Sequence, residues 1–191
     1  STDGAPLDRI RAICGSGESK VPASLVAQLP ALEIVSIMGV GYDGVDVAAC
    51  KSRGVIVTHT PDVLNDDVAD LAIALALNIA RRIPQADRFV RDGKWPQGPM
   101  PLATKLSGAR MGIVGMGRIG QAIAKRALAF GMSIAYTARS AKSELPFAFH
   151  ATPQALAAAS DFLVLIAPGG AATRKMIDAS VFEALGPKGY L

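Results

Sequence analysis

The sequence predicts an α/β protein built on a doubly wound parallel sheet, and three observations carry that prediction. Short apolar runs alternate with helical patterns along the whole chain. Several of those runs, 32–38 and 162–166 among them, are mostly apolar from end to end, as befits strands buried on both faces of a parallel sheet. One further run, Arg110-Met-Gly-Ile-Val-Gly115-Met-Gly117-Arg-Ile-Gly120, passes through three glycines at Gly-x-Gly-x-x-Gly spacing straight into a helical pattern.

Taken in order, residues 10–14 read as a strand, 21–28 as a short helix opened by Pro22, and 32–38 as a second strand. Residues 46–53 form a helix with Asp46 at its start and Lys51 and Arg53 at its end, closed by Gly54 and followed by a strand over 55–58. Thr60-Pro61-Asp62 breaks the pattern. Asn65 is a good N-cap for a long helix that carries Asp66 and Asp67 in its first turn and runs to Arg82. Residues 71–77 leave this helix no polar face, so it is expected to be buried between layers or subunits. The following stretch, with Pro84, Gly93, Trp95-Pro96, Gly98-Pro99 and Pro101, reads as an irregular connecting arm, with Trp95 as a packing anchor or, alternatively, a contact with a partner subunit. Beyond the glycine-rich turn come a helix over 119–130 stopped by Gly131 and a strand over 132–137. A short strand (147–150), a helix (153–159), a strand (162–166) and a helical pattern over 173–185 follow. Gly189-Tyr-Leu191 reads as the start of another strand.

Composition sets outer bounds. With 191 residues, 50% hydrophobic and 19% charged, the chain can build one large core or two small ones. Its apolar runs are too short to span a membrane, and Ser1-Thr-Asp-Gly has no signal-peptide character, which points to a soluble, cytoplasmic protein. Cys14 and Cys50 form no Cys-x-x-Cys pair and read as reduced, buried thiols, with neither a disulfide framework nor a metal site. The net charge of +4 suits anionic ligands, yet the basic residues are scattered. No stripe suited to nucleic acid results.

The glycine spacing has a chemical meaning. Gly115 permits a tight strand-to-helix turn, Gly117 lets backbone approach a pyrophosphate, and Gly120 lets the helix pack close to its strand. The helix N-terminus, at Arg118 and Ile119, turns its N–H groups and positive dipole end towards the phosphates. NAD sites place Asp or Glu at the end of the next strand to hold the ribose 2′-hydroxyl. Here that position holds Ala138, Arg139 and Ser140, with Lys142 nearby. A 2′-phosphate suits this set, since Arg139 offers a fork, Ser140 a hydroxyl and Lys142 a point charge, so NADP(H) is expected over NAD(H). A solvated basic loop is the plainer alternative.

Four ordered segments carry a family resemblance: Gly39-Val-Gly-Tyr-Asp-Gly-Val-Asp46, Arg53-Gly-Val-Ile-Val-Thr-His-Thr-Pro61, Asp66-Asp-Val-Ala-Asp-Leu71 and Gly112-Ile-Val-Gly-Met-Gly-Arg-Ile-Gly120. Together they resemble the D-2-hydroxyacid dehydrogenases. Thr-Ala-Arg-Ser140 and Gly93-Lys-Trp95 are similar to the NADPH-linked glyoxylate and hydroxypyruvate reductase branch. The resemblance implies a two-domain homodimeric enzyme that reduces a small 2-oxo acid to the D-2-hydroxy acid in a cleft between its domains. Residues 1–64 would be part of a flavodoxin-like substrate domain. Residues 65–191 would be an NADP-binding Rossmann domain with the crossover helix and a dimerisation arm.

It further implies that backbone amides of Val40 and Gly41 hold the substrate carboxylate, in agreement with a glycine-rich turn after a buried strand. Leu64 would line the site near the nicotinamide, and Ile166, Ala167 and Pro168 would flank the cofactor with Thr173 nearby. The family's catalytic Arg, Glu and His all match positions beyond Leu191, so no catalytic residue is expected in this chain, which would represent the middle of a family member. His59 and His150 stand at strand ends, match none of the three and read as structural. Asp43 and Asp46 read as caps around a loop and helix start. Two alternatives stay open: a phosphoglycerate or formate type of the same family, and a non-catalytic dinucleotide-sensing relative.

Overall fold

The structure, a computed structural model, describes residues 6–191. It divides into two compact units: residues 6–64 together with Pro168–Ala172, and Asn65–Ala167 together with Thr173–Leu191.

In the first unit three short strands, β1 (Ala12–Ser16), β2 (Ile34–Met38) and β3 (Ile56–Thr58), form a parallel sheet in the order β1-β2-β3. Two short helices, α1 (Ala23–Gln28) and α2 (Val47–Ser52), supply the crossovers. Pro22 stands at the α1 N-cap, and the Asp46 carboxylate caps α2 by accepting the Ala49 N–H at 2.8 Å. The core gathers Val26 and Leu29 around α1, Val35 and Ile37 of β2, and Cys50 of α2. Alternation along β2 leaves Met38 exposed, as Ile56 is on β3. The Arg53 guanidinium donates to the carbonyls of Val26, Leu29 and Pro30, satisfying the C-terminal end of α1. Burial pushes the Cys50 thiol up. Cys14, expected to be buried, is exposed, because with Ala12 and Ser16 it faces the side of β1 opposite Ile13, which packs on the core.

The second unit begins with α3 (Asn65–Arg81) and α4 (Ile83–Arg91) and continues as β4 (Arg110–Val114), α5 (Arg118–Ala129), β5 (Ser133–Thr137) and β6 (Ala148–Phe149). It closes with α6 (Pro153–Ala158), β7 (Phe162–Leu165) and α7 (Ala179–Leu185). Its parallel sheet has the order β6-β5-β4-β7. Successive side chains of a strand face opposite ways, and both faces are covered. Met111 and Ile113 pack with α3 and α5, whereas Val114 and Leu163 pack with Leu156, Ala157 and Val181 of α6 and α7. This is the doubly wound Rossmann arrangement. Helix α5 seats on a stripe of α3 made by Ala69, Ile73, Ala76 and Ala80, and Arg126 fastens the pair by donating to Asp66 and Asp70. At the base of the sheet, Arg110 donates to Asp161 at 2.7 Å and holds its carboxyl below the usual carboxylate range.

Four expectations need correction. The arm is not irregular throughout: α4 occupies it, because Arg82 adopts a left-handed backbone (φ 53°) that ends α3 and Pro84 then sits harmlessly in the first turn of a new helix. Trp95 is no anchor in the described chain; it lies in a 3₁₀ turn at 64% exposure. The pattern over 173–185 is helical only from Ala179, where Asp178 accepts the N–H groups of Ser180 and Val181 as a cap. Helix α3, expected to be buried all round, buries one apolar stripe while Leu71, Leu75 and Ile79 stand half exposed or more.

Candidate functional site

Strand order in the second unit runs outward from β4 to β5 and β6, then returns to the other side of β4 for β7, so the reversal point lies beyond the C-terminal ends of β4 and β7. Ligands of open α/β sheets bind at that point. The β4–α5 turn occupies it. Gly115 has φ +106°, and a Cβ there would stand 2.5 Å from the carbonyl oxygen of Ile166. At Gly120 a Cβ would stand 2.2 Å from the carbonyl oxygen of Gly115, so helix and strand approach to a distance only glycine allows. Gly117 differs from both. It is the α5 N-cap, provides no capping side chain, and has nothing within 4 Å of where its Cβ would be. The twelve-residue helix therefore presents an uncapped positive end beside open space, with Arg118 exposed and Ile119 half-buried at its first positions.

One strand over, Ala138, Arg139, Ser140 and Lys142 follow β5. The buried Tyr136 phenol shapes this loop by accepting the Lys142 N–H at 2.7 Å while donating to the Lys142 carbonyl. Arg139 and Ser140 are exposed, and neither side chain has a protein partner among the described residues. Lys142 is half-buried and sits 3.8 Å from Glu144, so part of its charge is already answered. At the end of β7, Ile166 donates its N–H to Val114 and turns its carbonyl towards Gly115; Ala167 is half-buried and Pro168 exposed. Thr173 is half-buried at the end of a short 3₁₀ turn. An open glycine cradle at an uncapped helix end, with an unpartnered guanidinium one strand away, fits a phosphorylated dinucleotide.

In the first unit the β2–α2 loop has a different construction. Gly39 donates its N–H to the Thr60 hydroxyl and accepts the Thr60 N–H at its carbonyl, both at 2.9 Å. The Val40 carbonyl lies 3.0 Å from His59 Nδ1, and the Tyr42 ring meets the His59 ring edge-on with centroids 4.8 Å apart. Among the described residues, neither the Val40 nor the Gly41 N–H donates a hydrogen bond. A Cβ on Gly39 would press on the backbone of Gly17, 3.3 Å away. Leu64 is half-buried where the unit ends. Asp46 caps α2 as expected, whereas Asp43 caps nothing among the described residues. His150 closes β6, its N–H bonded to the Tyr136 carbonyl. The ties from His59 and Thr60 to the loop could not be read from sequence, because they join residues about twenty positions apart through strand register.

Residues 73–191 match the NAD-binding domain of the D-isomer-specific 2-hydroxyacid dehydrogenases. The chain belongs to that family. It is 49% identical over 182 residues to glyoxylate/hydroxypyruvate reductase A of Arabidopsis thaliana, covering 95% of this chain and 58% of that protein. It is 48% identical over 184 residues to hydroxyphenylpyruvate reductase of Plectranthus scutellarioides, covering 96% and 59%. Among solved structures, the NADPH-dependent glyoxylate/hydroxypyruvate reductase of Sinorhizobium meliloti in complex with NADP and malonate aligns with a TM-score of 0.89 at 48% identity, covering 97% of this chain and 58% of that one. The chain thus spans less than two thirds of the length of these relatives. No helix among the described residues is long and apolar enough to cross a membrane.

Proposed function

We propose that this chain serves an NADPH-dependent reductase of small 2-oxo acids, of the glyoxylate or hydroxypyruvate type, that forms the D-2-hydroxy acid. The observation that carries the NADPH reading is the exposed, unpartnered Arg139–Ser140 pair at the end of β5, where an NAD site would place an acid. When bound, the reduced nicotinamide supplies a hydride to the carbonyl carbon. The residues of the chain do the rest of what this half of the site requires. The amides of Arg118 and Ile119 and the backbone at Gly117 receive the pyrophosphate. Arg139 and Ser140 take the 2′-phosphate with help from Lys142, and Ala138 leaves room for it. Ile166, Ala167, Pro168 and Thr173 border the cofactor, and Leu64 lies towards the nicotinamide. Val40 and Gly41 hold the substrate carboxylate with their free N–H groups. The cation that polarises the carbonyl and the acid that protonates the alkoxide are assigned to residues outside 1–191.

The relatives support a reductase but not one substrate, since a glyoxylate/hydroxypyruvate reductase and a hydroxyphenylpyruvate reductase match this chain almost equally. A homodimer is part of the reading and is supported by the unpartnered apolar edge of α3 at Leu71, Leu75 and Ile79. Light scattering that found only monomer for the protein at its natural length would contradict it. The cofactor reading is tested by Arg139→Ala. Losing a charge-assisted hydrogen bond is expected to cost about 1.5–3 kcal/mol towards NADPH, with little change towards NADH. Equal losses for the two cofactors in steady-state kinetics would refute it.

A further inference from the structure

We infer that His59 is a positioning residue for substrate: its ring presets the backbone amide that receives the carboxylate. The inference rests on the reading of Val40 and Gly41 given above and adds what makes those amides available. A carbonyl oxygen can only accept, so at 3.0 Å from the Val40 carbonyl the His59 Nδ1 must carry a proton and donate it. A trans peptide holds its C=O and N–H on opposite sides of one plane. Fixing the Val40 carbonyl on His59 therefore turns the Gly41 N–H directly away from the ring. The preceding plane is fixed the same way, because the Gly39 carbonyl accepts the Thr60 N–H, which turns the Val40 N–H away from Thr60.

Two successive peptide planes are thus pinned by their carbonyls to two successive residues after β3, and two successive N–H groups are left without protein acceptors. A pair of adjacent amides oriented in advance spares an anion the work of ordering them. Thr60 pins the Gly39–Val40 plane through its backbone N–H, while its hydroxyl accepts the Gly39 N–H. The His59 contact is made by the side chain alone, so the Val40–Gly41 plane depends on the residue at position 59. The Tyr42 ring packs edge-on against the imidazole, with centroids 4.8 Å apart, and limits its rotation.

The test compares His59→Phe with His59→Asn in the protein at its natural length. Phenylalanine keeps a ring beside Tyr42 but has no donor, whereas the asparagine side-chain N–H₂ falls close to where Nδ1 was. His59→Phe is expected to raise KM for glyoxylate about tenfold while KM for NADPH stays within twofold, and His59→Asn is expected to recover most of that loss. A Phe variant with unchanged KM for glyoxylate, equal rises for both ligands, or an Asn variant no better than Phe would overturn the inference. Should the Phe variant not fold, long-range ¹H–¹⁵N spectra of the unsubstituted protein decide the matter: a protonated Nδ1 on His59 supports the inference and a bare one overturns it. Gly41→Pro, which deletes one of the two amides, separates this inference from the reading beneath it. If Gly41→Pro raises KM for glyoxylate and His59→Phe does not, only the role of His59 fails. If neither does, the carboxylate is held elsewhere.

Discussion

On the reading proposed above, two strand-to-helix turns of this molecule face the same problem, an anion to be held, and solve it differently. After β4 the helix itself is the device. Helix α5 has twelve residues, its N-cap is a glycine without a capping side chain, and the space over Gly117 is open. After β2 the helix is withdrawn from use. Helix α2 has six residues, and the Asp46 carboxylate already occupies its N-terminus. The free donors there lie earlier, in the loop itself, at Val40 and Gly41. On that reading the difference follows from ligand charge. A pyrophosphate carries enough charge to repay the dipole and several N–H groups at a helix end, while one carboxylate is met by two adjacent amides fixed in direction. A shared β-α-β architecture therefore says little about where donors are free; capping decides it.

Three substitutions break this comparison at different strengths. Gly120→Ala forces a methyl against the Gly115 carbonyl, where both partners are backbone and neither can yield. A cost of about 3 kcal/mol is expected, seen as a melting temperature lower by roughly 6–12 °C together with loss of NADPH binding. Gly117→Ala is the informative contrast, since its methyl meets nothing among the described residues. Melting should hardly change, while fluorescence titration should show NADPH bound about tenfold more weakly. Equal destabilisation by the two alanines would mean that Gly117 is structural as well. Asp46→Ala is the mildest. Removing the α2 cap should cost about 1 kcal/mol in chemical denaturation and leave cofactor affinity untouched. A gain of phosphate affinity at α2 would show that the cap is not what closes this helix to anions.

Much of this division was legible in the sequence, and the exceptions share a cause. The glycines at 115, 117 and 120 announce their turn because spacing along one chain fixes their roles, and Asp46 announces its cap by standing one residue before an apolar helix. The place of Arg139 just past β5 was legible through its distance from that turn. By contrast, α4 is hidden because Pro84 reads as a breaker, although proline in a first turn loses no hydrogen bond. The exposed Trp95 and Cys14 depart from expectation because burial is a property of neighbours, not of residue type. The ties of His59 to Val40 and of the Tyr136 phenol to Lys142 depend on strand register and loop path, which local patterns do not contain.

The division of labour between the two turns is tested most directly by the backbone amide resonances of ¹⁵N-labelled protein titrated with each ligand separately. NADP should shift Arg118 and Ile119, next to the open space at Gly117, and leave Val40 and Gly41 in place. Glyoxylate added to the NADP-saturated protein should then shift Val40 and Gly41 and spare the amides of α2 behind the Asp46 cap. Glyoxylate shifts centred on α2, or none at Val40 and Gly41, would contradict the account.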